Sequence, residues 1–358
     1  MTSKIGVGIV GLSVNGGWAA RAHVPALAAL DGYELRALAA SGPESARAAG
    51  EHFGVAHGSV DDLVARDDVD LVVVTVKVPH HRELVMAALE AGKSVLSEWP
   101  LGNGLAEAEE MAAAAESRGL RGFVGLQARS AAPVRYLRDL IADGYVGEVL
   151  STSMIASGGR WGATFEPRGE YLLDPGNGAT MLTIPFGHTV DALAMVLGEF
   201  TEVSSTIATR RAQVREEGTG RLAPMTAEDQ LVVSGALEGG AVASVHYRGG
   251  MPRGTGFHWE INGTEGDLVV TGENGHLQFG QVTLRGARGG DEGLAELAVP
   301  AEYDLVPGVA RTETAHAVAH AYVQIRDDIE NGTNTAPDFT HAVHRHRELD
   351  RIRRAARS

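Results

Sequence analysis

The run "DLVVVTV" at residues 70–76 constrains this chain more than any other segment, because five of its seven residues are Val or Leu. A strand apolar on both faces needs cover on both faces, which parallel sheets obtain from crossover helices. The flanking sequence supplies them: "PESARAAGEHFG" reads as a helix before it, and "HHRELVMAALEAG" as one after it, stopped by glycine. "KIGVGIVGL", "YELRALAA", "KSVLSE" and "RGFVGLQAR" read as further strands, and "GLAEAEEMAAAAESRG" as a further helix. Strands alternating with helices in this way specify a doubly wound parallel sheet, an α/β arrangement that ends near residue 125.

Beyond that point the pattern changes. After the amphipathic helix "PVRYLRDLIADGYVG" and the Gly-rich loop "SGGRWGATFEPRGEYLLDPGNG" comes the helix "HTVDALAMVLG". Alternating segments separated by Gly-rich turns then run from "EVSSTIATRRAQV" to "LAELAVP". "QLVVSGALEGGAVASVHYRG" is a hairpin with "EGG" at its tip, and the helix "ETAHAVAHAYVQIRDDIENG" closes the region. Strands grouped after helices indicate an α+β domain on a large, mostly antiparallel sheet. The expected division is residues 1–125 for the first domain and 126–358 for the second. An antiparallel sheet with so few helices to cover it leaves an apolar face, so the chain is expected to be a homodimer or homotetramer.

Composition removes several classes of function. With no cysteine in 358 residues, disulfides, thiolate metal sites and cysteine nucleophiles are excluded. A formal charge of −15 opposes broad contact with phosphate backbones, so nucleic acid is not an expected partner. The locally basic tail "HRHRELDRIRRAARS" has interleaved acids at helical spacing and reads as a solvated helix face. No apolar run is long enough to span a bilayer, so no membrane is expected. "MTSKIGVGIVGL" enters a strand pattern at once, which leaves no room for a leader, and residence in the cytoplasm follows. Among the histidines, His316 and His320 share one helix face, but no third ligand at suitable spacing accompanies them, so no metal site is expected.

Chemistry concentrates at the first strand–turn–helix. Gly11, Ser13 and Gly16 occupy the three positions of G-x-G-x-x-G, between a strand ending at Gly11 and a helix opening near Trp18. In that order the helix N-terminus faces a pyrophosphate, whereas an isolated glycine turn would carry no such meaning. The second strand ends at Ser41, without the acid that would read a ribose 2′-hydroxyl, and Arg47 follows within two turns. NADP is therefore permitted and slightly favoured over NAD; the alternative is that backbone groups alone hold NAD.

"DLVVVTVKVPHHRELVMAALEAGKSVLSEWPLG", "GLQAR", "GHTVDALAMVLG" and "INGTEGDL" together resemble the Gfo/Idh/MocA family of NAD(P)-dependent oxidoreductases, which act mostly on sugars and cyclitols. The resemblance implies a Rossmann domain followed by an α/β domain with an open sheet. It also implies that Thr75, Lys77, His81, Glu98, Trp99 and Gln127 lie along the ribose and nicotinamide half of the cofactor. Family enzymes carry the motif E-K-P, whose lysine transfers a proton, and an Asp and a His four residues apart downstream. Here Trp99 stands for the lysine and Ile184 for the Asp, while His188 is retained. The departures, in "GLSVNGGWAARAH", "VKVP", "EWPLG" and "MLTIPFGH", are most similar to the subgroup containing the fungal galactose repressor, which keeps the fold and NAD(P) binding.

Two functions follow from the resemblance. One is an oxidoreductase acting on a sugar, polyol or related small carbonyl compound, with altered proton transfer. The other is a non-catalytic NAD(P)-binding sensor or transcriptional regulator that takes a small effector. An indole exchanges no proton near neutral pH, so catalysis would fall to His188 or Lys77. Lys77 could equally pair a phosphate or a carboxylate. Trp161, Tyr171 and Asp174, on the Gly-rich loop, are candidate substrate contacts alongside His188; ordinary turn chemistry is the competing explanation for that loop.

Overall fold

The computed structural model describes residues 4–356, which form two compact units. The first unit takes the chain up to Ser130 together with Leu305–His346; the second takes Ala131–Asp304 and the chain from Arg347 onward. The single cut expected after residue 125 is thereby corrected. The helix Ala315–Asn331 puts Val318, Tyr322 and Ile325 on one stripe, and that stripe joins the core built from Val7, Leu38 and Tyr33. Helical periodicity reveals an apolar stripe but not which core receives it.

In the first unit, β1 (Ile5–Val10), β2 (Tyr33–Ala39), β3 (Ala56–Gly58), β4 (Leu71–Val74), β5 (Ser94–Glu98) and β6 (Gly122–Gly125) form a parallel sheet in the order β3-β2-β1-β4-β5-β6. All four residues of β4 are buried, as its run of Leu and Val requires. The strand order reverses between β1 and β4, so the crevice beyond their C-terminal ends is where an open α/β sheet binds ligands.

In the second unit the strands are β7 (Val149–Ser157), β8 (Thr164–Phe165), β9 (Phe200–Ala208), β10 (Gln213–Glu216), β11 (Leu222–Pro224), β12 (Gln230–Leu237), β13 (Val242–Arg248), β14 (Phe257–Gly263), β15 (Gly266–Gly272), β16 (Thr283–Arg288) and β17 (Ala295–Glu296). Eight of them form one sheet, β17-β16-β15-β14-β7-β13-β12-β9, in which only the β7–β13 pair is parallel. Strand alternation divides its faces. The inner face buries Val233, Val245, Met154, Trp259 and Val270 in one register row. Truncating Trp259 to alanine would cost roughly 3–5 kcal/mol.

On the outer face Ser204, Ser234, Ser244 and Ser153 are register neighbours, while Ile155, Val232 and Val242 are exposed around them. That face is thus a mixed surface rather than the continuous apolar one expected. The basic tail also differs from expectation. Along the helix Phe339–Arg354, Ala342, Arg345, His346, Leu349 and Ile352 are buried at helical spacing, with Arg345 at 0% exposure. An arginine and a histidine inside the buried stripe had masked its periodicity.

Candidate functional site

The glycine turn is built by backbone geometry. Gly11 ends β1 with φ +100°, and its N–H donates to Ala39 O at 2.8 Å. A Cβ there would lie 2.9 Å from both Thr75 Oγ1 and Val76 Cγ1, so glycine is what lets β1 run against the loop after β4. Thr75 ties the two strand ends together, donating both its N–H (3.0 Å) and its hydroxyl (2.9 Å) to Val10 O. Gly16 and Gly17 have φ +86° and +117°, and a Cβ on either would point into open space. Ser13 Oγ accepts from Asn15 N–H at 3.2 Å within the turn. The following helix runs through Ala19–His23 and Val24–Ala28, its first turns π-wound, directly after half-buried Trp18. A left-handed glycine pair with vacant space above it, at the N-terminus of this helix, fits a pyrophosphate.

Around the turn, the ends of β2, β4, β5 and β6 bring the other first-unit candidates. Ser41 is exposed just beyond β2, its Oγ 3.4 Å from that of Ser45, while Arg47 is paired to Glu51 at 2.8 Å. Lys77 is exposed and precedes the short 3₁₀ turn Val78–His80. Glu98 closes β5, where its Oε1 accepts from Gln127 Nε2 at 2.7 Å and from His23 Nε2 at 2.9 Å. Gly125 makes that convergence possible, since a Cβ there would fall 2.6 Å from Glu98 Oε1.

His81 corrects its expected role. Its Nδ1 lies 2.8 Å from Pro100 O and its Nε2 3.1 Å from Val76 O, and the side chain is fully enclosed. Burial holds its pKa below the ordinary histidine range. A neutral ring carries one N–H and donates to one of these carbonyls at a time, so His81, enclosed between the loops after β4 and β5, is part of their packing rather than a cofactor contact. Trp99, joined to Pro100 by a cis peptide, is 4% exposed and packs on His346 with ring centroids 4.7 Å apart. It is a buried side chain held by the first unit's own packing.

The second unit holds Trp161, Tyr171, Asp174 and His188. Trp161 is buried with φ +58°, and its indole N–H donates to Leu172 O at 2.9 Å. Such burial and bonding make it part of the loop's own packing, which corrects its assignment as a substrate contact. Asp174 is exposed and accepts from Gly176 N–H at 2.8 Å, so it acts as a turn residue. The Tyr171 phenol is raised above its ordinary range by burial, with Arg160 opposing. His188 opens the helix Gly187–Leu197, buried together with Asp191 one turn later. Phe186 and Thr189 seat this helix on Tyr247, the former edge-on at 5.8 Å and the latter by a 2.5 Å hydrogen bond. His276 approaches Gly158 O through Nε2, and burial pushes its pKa down to about 4.

Sequence reasoning missed His23, Gly125, Asp191 and His346. Only Asp191 carried a local signal, its spacing from His188; the others are separated widely along the chain from what they touch. His316 and His320 do face each other, ring centroids 4.5 Å apart, and both are buried.

Comparison with known proteins adds identity to this geometry. Residues 5–126 match the model described as "Oxidoreductase family, NAD-binding Rossmann fold", and residues 133–272 match "Gal80p, C-terminal domain". The 1,5-anhydro-D-fructose reductase of Ensifer adhaerens is 30% identical over 296 residues, covering 80% of this chain and 84% of that enzyme. The chain belongs to the Gfo/Idh/MocA oxidoreductase family.

Other Gfo/Idh/MocA relatives divide between enzymes and regulators. Dehydrogenase aclE of Aspergillus oryzae is 38% identical over 213 residues; the match covers 56% of this chain but only 57% of that protein. The galactose/lactose metabolism regulatory protein of Saccharomyces cerevisiae is 29% identical over 317 residues, 82% of this chain and 73% of its own length. Among solved structures, a super-repressor mutant of Gal80p from the same yeast superposes with TM-score 0.89 at 24% identity, covering 99% of this chain and 96% of that one. Levoglucosan dehydrogenase in complex with NADH and levoglucosan gives 0.82 at 22%, covering 99% and 97%. The expected fold, a Rossmann domain with a large, mostly antiparallel open sheet, is the one observed. No helix among the described residues is long and apolar enough to cross a membrane.

Proposed function

We propose that this chain binds NAD(P) at the glycine turn of the first unit and acts as an oxidoreductase on a sugar, polyol or related small carbonyl compound, without a lysine at residue 99. The observation that carries the reading is the open Gly16–Gly17 turn at the β1–β4 reversal, with Thr75 tied to the end of β1 and Glu98 at the end of β5. Family membership and the NADH complex of levoglucosan dehydrogenase support the cofactor class. Ser41 places no carboxylate against a 2′-phosphate. Because Arg47 is already held by Glu51, the slight preference for NADP rests on absent repulsion rather than on a waiting cation.

A bound nicotinamide supplies or accepts the hydride. Gly11, Ser13, Gly16 and the helix N-terminus after Trp18 would hold the phosphates, and Glu98 would accept from ribose hydroxyls. The substrate's proton then needs a group other than the buried indole of Trp99. His188 takes that role, because an imidazole carries both a donor and an acceptor nitrogen, and exposed Lys77 is next in line. Purified protein offered NAD(P)H with a panel of sugars and ketoses tests this. Turnover is expected to fall by roughly two orders of magnitude or more in His188→Ala and to stay within a few-fold in Trp99→Phe. Activity untouched by His188→Ala would remove that residue from the mechanism.

The second reading, an NAD(P)-binding sensor or regulator without turnover, is favoured by two side chains, Trp99 against His346 and Ile184 four residues before His188. The match to the Gal80p C-terminal domain points the same way. Dinucleotide binding without hydride exchange on any tested substrate would select it. Under either reading the partner is a small molecule, and the exposed face carrying Ile155, Val232 and Val242 joins subunits into a homodimer or homotetramer.

A further inference from the structure

We infer that His23 and Tyr322 are positioning residues for Glu98, through which the segment 305–346 sets how tightly the first unit holds the vicinal hydroxyls of a dinucleotide's ribose. The inference rests on the nucleotide reading of the glycine turn and adds to it a pair of residues that touch no ligand.

The hydrogen bonds have one consistent direction. Glu98 Oε1 receives two nitrogens, Gln127 Nε2 at 2.7 Å and His23 Nε2 at 2.9 Å. An ionised carboxylate only accepts, so His23 Nε2 carries a proton, and in the Nε2–H tautomer Nδ1 is an acceptor. Nδ1 faces Tyr322 OH at 2.8 Å. Burial raises that phenol well above its ordinary range, so it keeps its proton and donates it to His23. Tyr33 OH in turn donates to Tyr322 O at 2.7 Å, fixing the backbone from which the phenol projects. The result is a chain of hydrogen bonds from Tyr322 through His23 to Glu98, with Tyr322 and His23 both fully enclosed.

Packing allows the chain no slack. The His23 ring stands edge-on to Tyr322 at 5.8 Å and 84°, and to Trp18 at 6.5 Å and 79°. Tyr33 meets Tyr322 at 5.1 Å. On the far side of the carboxylate, the bare Cα of Gly125 leaves no room for a side chain beside Glu98 Oε1 and Gln127 Nε2. A carboxylate fixed before binding loses no rotamer freedom when it accepts hydroxyls, so its orientation translates into affinity. Trp18 connects the same cluster to the glycine turn, and both parts of the dinucleotide site thus share one support.

Titration of the full-length protein with NADH, followed by nicotinamide fluorescence, tests the inference in two backgrounds. Tyr322→Phe keeps the ring and removes the donor; it is expected to raise Kd roughly ten-fold, the effect of a lost hydrogen bond within a charged network. In a Glu98→Gln background the same change is expected to raise Kd less than two-fold, because the residue it acts through is already altered. A Tyr322→Phe effect under two-fold, or an equal loss in both backgrounds, would assign the tyrosine to packing alone and overturn the inference. Should Tyr322→Phe fail to fold, His23→Gln compared in the same two backgrounds decides it. Wild-type protein that binds neither NADH nor NADPH would instead overturn the nucleotide reading itself, and this inference with it.

Discussion

The glycine turn of the first unit and the Gly-rich loop of the second use the same residue to opposite ends. At Gly16 and Gly17 the missing side chains leave vacant space over a left-handed backbone. In the loop after β7 the corresponding space is filled by the protein. A Cβ on Gly158 would meet Met181 and Trp161, and one on Gly162 would lie 2.9 Å from Gly250 Cα. Trp161 then seals the loop by donating to Leu172 O. Richness in glycine is therefore no sign of binding by itself. What matters is whether the volume over the bare Cα is empty or occupied by other parts of the chain.

The largest effect that would break this contrast is expected at Gly11. Gly11→Asp adds a side chain at φ +100° and a charge facing phosphates, and should weaken NAD(P)H binding at least roughly 100-fold by calorimetry. Retention of wild-type affinity would show that the turn does not hold the dinucleotide.

Acid should act on the closed loop of the second unit. His276 is held near pKa 4 by burial, below the 6.5 of an exposed imidazole, so between these values the unfolded chain binds a proton that the folded one refuses. Stability is full above pH 6.5 and declines as pH falls toward 4, by roughly 3 kcal/mol from this group. His81, depressed by the same cause, adds loss of the same sign in the first unit. Urea unfolding that is flat across that window would remove the buried imidazoles from the account.

Assembly gives a smaller effect. Val242→Lys, on the outer sheet face, should weaken self-association roughly ten-fold or more in sedimentation experiments. A wild-type monomer at micromolar concentration would sink the proposed interface. Least affected should be Asp174→Ala, which loses one turn hydrogen bond: about 1 kcal/mol of stability and less than a two-fold change in turnover. A ten-fold fall in turnover would return Asp174 to the substrate site.

The glycine turn was legible because glycine spacing records backbone conformation directly. Thr75 and Glu98 were named through the family resemblance, and the structure puts them just after β4 and at the end of β5, where a parallel sheet gathers ligand contacts. Trp161 and His81 misled for one reason: a polar or aromatic residue near a site looks the same in sequence whether its polar atoms face a ligand or face Leu172 O, Val76 O and Pro100 O.

By itself, the sequence determined the alternation of elements, the change from parallel to antiparallel sheet and the glycine turn. These are properties of short windows, set by side-chain periodicity and local sterics. Tertiary structure alone decided that residues 305–346 join the first unit, that Trp99 packs on His346, and that a buried arginine lies within the helix that begins at Phe339. It also decided the support of Glu98, which reaches 75 residues back to His23 and from there 299 residues forward to Tyr322. Periodicity states which face of an element is buried. The partner of that face is chosen by packing and hydrogen-bond satisfaction across the whole fold, and no local pattern encodes it.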